Sequence, residues 1–176
     1  KIITLILSIP LLFFSQTDTQ EITLDEGWSI FSTYIIPEDN SVENIFASII
    51  DNIVIVKDQN GNVYWPEYNL NSIGSLTIGA AYHIKVNNPQ NFSINGNKVT
   101  CDNEINLNSG WNLIGYLSAL STEVEEQFSS FEENLIIIKD GEGNVYWPEY
   151  NLNSLITLEP GQGYQIKLLS NIIFNY

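Results

Sequence analysis

The sequence predicts a mainly β protein with one short α-helix per repeat: two homologous β-rich units, barrel- or sandwich-like, packed as a pseudo-symmetric pair. Three observations carry this. The chain repeats itself, each repeat alternates apolar and polar residues over most of its length, and helical spacing occurs once per repeat. The repeat is plainest in GNVYWPEYNLNS, unchanged at residues 61–72 and 143–154. Around it, residues 22–30 align with 105–113 at an offset of 83, and Val42, Phe46, Lys57, Asp58, Gly79, Tyr82 and Lys85 find counterparts at an offset of 82. The units are residues 21–101 and 104–176.

Residues 1–15 stand apart from both units. Lys1 precedes an apolar run from Ile2 to Phe14, then Ser15 and Gln16, the order of a secretory signal peptide. The run is short for a membrane span and carries Pro10. This predicts a secreted protein, extracellular or at the cell surface, meeting a membrane only through that peptide before cleavage.

Each unit opens with Ile22, Leu24, Trp28 and Ile30 in alternation, a strand bent at Gly27, which reads Trp28 and Trp111 as core. Val42, Ile45, Phe46, Ile49 and Ile50 then lie on one stripe of a helix of about ten residues. Asn40 or Ser41 caps it; in the second copy Thr122-Glu123-Val124-Glu125 has the form of a capping box, ahead of Val124, Phe128 and Phe131. A hairpin follows, residues 53–57 returning through 62–65 across Asn60-Gly61, a pair whose residues tolerate positive φ. The second copy keeps the glycine but has Glu142 for the asparagine. After a turn at Gly79 or Pro160-Gly161, a strand runs over 82–86 and again over 164–168. Phe92-Ser93-Ile94 then turns at Asn95-Gly96, and the second copy ends on residues 172–174.

Composition excludes much. Twenty-one acidic residues against six lysines and no arginine give a net charge of −15. Phosphate recognition needs Lys and Arg clusters, so nucleic acid and anionic membranes are excluded as partners. A hydrophobic share of 44% marks a folded domain all the same. The lone Cys101 allows no intramolecular disulfide and reads as a small buried residue. The single imidazole, His83, becomes Gln165 in the second copy, and no activated-serine elbow occurs. One His and one Cys build no transition-metal site. The chain reads as no enzyme. The arrangement nearest to catalysis is Glu67 with Glu149, a carboxylate pair as glycoside hydrolysis needs, each flanked by aromatics able to stack on a sugar ring, but identical flanking sequences make it harder to split acid from base. Weak calcium candidates are Asp58, Asn60 and Asn62, with Asp140, Glu142 and Asn144: oxygens alternate around a glycine turn, without a distal bidentate glutamate.

Gly110-Trp111-Asn112-Leu113-Ile114, the hairpin around Gly143-Asn144-Val145-Tyr146-Trp147-Pro148-Glu149, and Pro160-Gly161-Gln162-Gly163-Tyr164-Gln165-Ile166-Lys167 together resemble a repeat module of secreted Bacteroidetes-type bacterial proteins. The resemblance spans both units and implies an accessory or surface domain; it assigns no catalytic residues. The first copy departs from it with Ser29-Ile30-Phe31 and Gly79-Ala80-Ala81.

Strand alternation puts Val63, Trp65 and Glu67 on one face and Tyr64, Pro66 and Tyr68 on the other. Either these aromatics seal a core and the junction between units, or they form a platform for an extracellular glycan or protein. The candidate binding residues are Tyr64, Trp65, Glu67, Tyr68, Tyr146, Trp147, Glu149 and Tyr150. A non-catalytic binding or adhesion module is the first reading; a structural assembly protein and a glycoside hydrolase using Glu67 and Glu149 are the alternatives.

Overall fold

A computed structural model describes residues 17–100 and 102–176; the expected signal peptide and Cys101 lie outside the described residues. The first unit runs β1 (Asp18–Leu24), β2 (Gly27–Phe31), β3 (Ile35–Ile36), α1 (Val42–Ile45), a 3-10 segment (Ala47–Asn52), β4 (Ile53–Lys57), β5 (Val63–Trp65), a 3-10 turn (Pro66–Tyr68), β6 (Leu70–Asn71), β7 (Tyr82–Val86) and β8 (Gln90–Lys98). The second runs β9 (Ile105–Leu107), β10 (Gly110–Gly115), β11 (Thr122–Glu123), α2 (Val124–Phe128), a 3-10 segment (Ser129–Asn134), β12 (Leu135–Lys139), β13 (Val145–Trp147), a 3-10 turn (Pro148–Tyr150), β14 (Leu152–Asn153), β15 (Thr157–Leu158), β16 (Gly163–Leu168) and β17 (Ile172–Phe174).

Both units build an open, antiparallel five-stranded sheet of one order, β2-β7-β4-β5-β6 and β10-β16-β12-β13-β14. No barrel closes among the described residues. In the first unit one sheet face, with Val56, Tyr64, Tyr82 and Ile84, packs against Val42, Phe46 and Ile49 of the helical segment. Ile22, Leu24, Ile35 and Phe92 from the β1-β8-β3 sheet close the same core. Phe46 is its hub, with ring centroids 5.4 Å from Phe31 and 5.6 Å from Phe92. The second core is equivalent, with Phe128 5.5 Å from Phe131 and from Phe174.

Four local expectations are corrected. The helix is one α-turn that tightens to 3-10 after Phe46, and its copy does the same after Phe128. Residues three apart eclipse in a 3-10 helix, so Ile49 follows Phe46 inward while Ile50 turns out, 39% exposed. Ser41 does cap α1, its Oγ accepting from the Asn44 amide at 3.4 Å. The capping box is absent: Thr122 is drawn into pairing with Leu158, its hydroxyl accepts from Tyr116, and the N-cap Glu123 makes no side-chain bond. The turn expected at Asn95-Gly96 lies inside continuous β8; Gly96 is required there by close approach, since a Cβ would stand 2.1 Å from the Ile36 carbonyl oxygen. The bend at Gly27 (φ 97°) carries the chain out of one sheet and into another rather than along a single bulged strand.

The units meet edge to edge. The Ser32 amide donates to the Gly161 carbonyl and the Gly115 amide to the Gly79 carbonyl, both at 2.9 Å. Phe31 pairs with Gln162, and Ile114 with Ala80. Ile30, Ala81 and Leu113 form a small apolar cluster at this joint. Backbones approach so closely that a Cβ on Gly163 would fall 2.4 Å from Ala81 Cβ, and one on Gly115 2.7 Å from the Ala80 carbonyl oxygen.

Candidate functional site

Most of the repeated twelve residues are committed to folding. Asp58 Oδ1 accepts from the amides of Asn60 and Asn62, both at 2.8 Å, and Oδ2 from Asn62 Nδ2 at 2.7 Å. Asp140 does the same with Glu142 and Asn144 at 2.7–2.9 Å. The connection is therefore a five-residue loop ordered by an aspartate side chain, not a two-residue Asn-Gly turn; Gly61 and Gly143 take positive φ and Asn60 does not. That explains why Glu142 can replace Asn60: only its backbone amide is used. The same bonds occupy the calcium candidates Asp58, Asn62, Asp140 and Asn144, and among the described residues no three acidic, His or Cys side chains cluster as a metal site.

Further along, Tyr64 and Tyr146 are 5% and 6% exposed and belong to the cores of their own units. They are neither platform nor junction residues. Burial raises the Tyr146 hydroxyl above the usual phenol range, and its bond to Glu132 Oε1 at 2.6 Å adds to this. Ser72 Oγ accepts from the Val63 amide at 2.8 Å, and Ser154 Oγ from Val145 at 2.9 Å. Asn71 ties its loop to Glu43 of α1, as Asn153 ties to Glu125 of α2. Pro66 ends β5, as a missing donor predicts, but pairing resumes in β6 because Asn69 takes a left-handed conformation (φ 53°) and turns the chain back. The second copy repeats this at Asn151 (φ 50°).

This 3-10 turn breaks the two-residue alternation, so Glu67 and Tyr68 both face solvent, as do Glu149 and Tyr150. Tyr68 and Tyr150 are 63% and 64% exposed. Each stands edge-on to the tryptophan before it, centroids 4.6 Å apart. Trp65 and Trp147 are half-buried, and both indole N–H groups are buried without a conventional acceptor. A perpendicular aromatic neighbour can receive such a donor weakly.

Glu67 lines a pocket of about 520 Å³ with Asp51, Ile53, Val54 and Pro66. Glu149 lines one of about 390 Å³ with Glu133, Leu135, Ile136 and Pro148. Every residue lining the first has its counterpart 82 positions on in the second. The two glutamates are thus held in separate pockets, each made by its own unit, and not brought together as an acid–base pair.

Sequence reasoning missed two other aromatics. Trp28 and Trp111, read above as core, are 47% and 48% exposed on the sheet faces opposite the cores. Lys57 Nζ lies 5.2 Å from the Trp28 ring; Lys139 and Lys167 lie 4.9 and 5.7 Å from the Trp111 ring. His83 stands edge-on to Trp28 at 6.4 Å, half-buried as its place on a strand implied. The signal was present: Trp28 shares strand parity with Lys57 and Lys85 across the sheet, not with the apolar Ile84 and Val56. No family model, curated protein or solved structure matches the chain.

Proposed function

We propose that this chain is a secreted, non-catalytic carbohydrate-binding module: two copies of the secreted bacterial repeat unit, packed as a pseudo-symmetric pair, each with one glycan site. The observation that carries this reading is the recurrence of one pocket, position for position, whose glutamate is followed in the chain by an exposed tyrosine. Carboxylates such as Asp51 and Glu67 accept paired hydroxyls of a sugar, Ile53 and Pro66 supply apolar contact, and the Tyr68 ring supplies a stacking face. The pseudo-symmetric pairing is supported by the joint: adding 83 to Ser32 gives Gly115, and subtracting 82 from Gly161 gives Gly79, so one amide–carbonyl bond is the image of the other.

Two sites on one chain make retention on a polymer depend on both through effective concentration. Retention on insoluble cell-wall polysaccharide, together with a glycan array, tests this. Wild-type chain is retained; Tyr68→Ala alone weakens retention, and Tyr68→Ala with Tyr150→Ala abolishes it while the fold persists. Retention unaffected by the double variant overturns the reading. Concentration-dependent self-assembly with no glycan bound favours the assembly alternative, and polysaccharide cleavage lost in Glu67→Gln or Glu149→Gln favours the hydrolase.

A further inference from the structure

Lysine is scarce in this chain, yet four of the six lysines occupy one kind of place. Lys57, Lys85, Lys139 and Lys167 all lie on the outward faces of the five-stranded sheets, half-buried. The one ion pair among the described residues is Lys98 with Asp18, so none of these four has a carboxylate within 4 Å there, despite the acidity of the whole. A half-buried ammonium has given up part of its hydration, and without a counter-ion it is poised to accept an anion.

The two outward faces converge where the units join. His83 of β7 and Gln165 of β16 touch at 3.4 Å, with Trp28 beside His83. A cleft of about 370 Å³ opens at this contact, lined from one unit by Trp28, Ile30 and His83 and from the other by Lys139, Gly141 and Gln165. We infer that this cleft, with the lysine–tryptophan contacts that adjoin it, is a second binding site, for an anionic oligosaccharide: Trp28 in the cleft and Trp111 beyond it, beneath Lys139, stack on its pyranose rings, while Lys139 in the cleft and Lys57 and Lys167 next to the two indoles pair with its carboxylate or sulfate groups.

Each part of that assignment has a physical basis. An indole half-exposed beside a sheet offers the flat apolar surface that a sugar ring covers; a lysine ammonium lies over each ring, 5.2 Å from the Trp28 centroid and 4.9 Å from that of Trp111, and yields the ring face as it turns to its anion. Burial first, then Lys57 and Lys139, hold the His83 imidazole below its ordinary value, so cations from both units act on one point of the cleft. Two carboxylates also stand at the rim. Asp140 is consumed by its loop amides, while Glu142 is exposed and opposes an anion. The site goes beyond the glycan pockets proposed above and shares no residue with them.

Titration of the full chain with an oligogalacturonate, a sulfated oligosaccharide and a neutral gluco-oligosaccharide, followed by tryptophan fluorescence and calorimetry, tests the inference. Saturable, salt-sensitive binding of an acidic oligomer with quenched fluorescence is expected, and the acidic oligomer bound more tightly identifies the anionic group. Lys57→Gln with Lys139→Gln lowers affinity by about tenfold or more. Glu142→Gln raises affinity, and the loss in the lysine variant persists in a chain that also carries Tyr68→Ala and Tyr150→Ala. Absence of saturable binding to either acidic oligomer overturns the inference. So does equal affinity for the neutral one, or unchanged affinity in a lysine double variant with native melting temperature.

Discussion

His83 and Gln165 occupy equivalent positions 82 residues apart, yet they touch each other across the joint at 3.4 Å. Half-buried there against the side chain of its own counterpart, the histidine is disfavoured in its charged form by burial first and then by Lys57 and Lys139 of the two units. Because the folded pKa lies below the unfolded value of about 6.5, the unfolded chain binds the proton first as pH falls. The stability linked to this group is fully present above that value and is lost as pH falls through the folded pKa. Urea denaturation between pH 7.5 and pH 5 therefore gives a declining stability, and His83→Gln, which places glutamine on both sides, flattens the decline over that window.

Loop order depends on Asp58 and Asp140 rather than on the residue before the glycine. Asp58→Ala removes the acceptor of three bonds and costs about 1–3 kcal/mol. Asn60→Glu, which installs the residue of the second copy, changes stability by no more than about 0.5 kcal/mol. Chelation leaves the melting temperature of the wild type unchanged, since the aspartate oxygens are already engaged. Chemical denaturation and thermal melts with and without chelator check these outcomes.

The tyrosines of one hairpin separate by role. Tyr64→Ala opens a cavity in the core beside Phe46 and costs about 3–5 kcal/mol. Tyr68→Ala, four residues on, stays within about 1 kcal/mol of wild type, because its ring is mostly in solvent. Equilibrium unfolding of the two single variants distinguishes them.

At the joint, Gly115→Ala places a methyl group 2.7 Å from the Ala80 carbonyl oxygen and 2.8 Å from Ser32 Cβ. The backbone must part to admit it, at a cost of about 1–3 kcal/mol. Gly143→Ala meets no atom and is penalised only by its positive φ, so the two melting temperatures report a steric and a conformational cost separately.

The duplication, the predominance of strands and the hairpin positions were legible in the sequence, because period and turn chemistry are local. Which face of a strand is the core was not. Alternation groups Trp28 with Ile30, but Ile30 is buried by the other unit and not by its own core, so one outward face reads as apolar along half its length. The turn expected at Asn95-Gly96 failed for a related reason: that glycine answers to the neighbouring strand β3, a contact far away in sequence. Alternation carried through Pro66 made Tyr64 and Tyr68 look alike, and a single 3-10 turn undid the equivalence. Glu67 and Tyr68 could be singled out as candidates because a repeated residue without a local folding task stands out, and the structure exposes both. The lysines of the cleft were not, since they come together only when two sheets do.

Two bonds between the halves run from peptide group to peptide group, Ser32 to Gly161 and Gly115 to Gly79, and the Ser32 hydroxyl adds two more by donating to the Gln162 carbonyl and accepting from the Tyr116 amide. An amide and a carbonyl are common to all residues but proline, so the peptide bonds of the joint ask only that the side chain at each position fit. Side chains around it differ between the copies, Ser32 against Gly115 and Ala81 against Gly163, each glycine leaving the room that its counterpart's Cβ fills. The hairpin enjoys no such latitude, because its bonds pass through the particular side chains of Asn62, Asn71 and Ser72. Where a contact is written in the main chain, mutation drifts past it; where it is written in side chains, the letters have to stay.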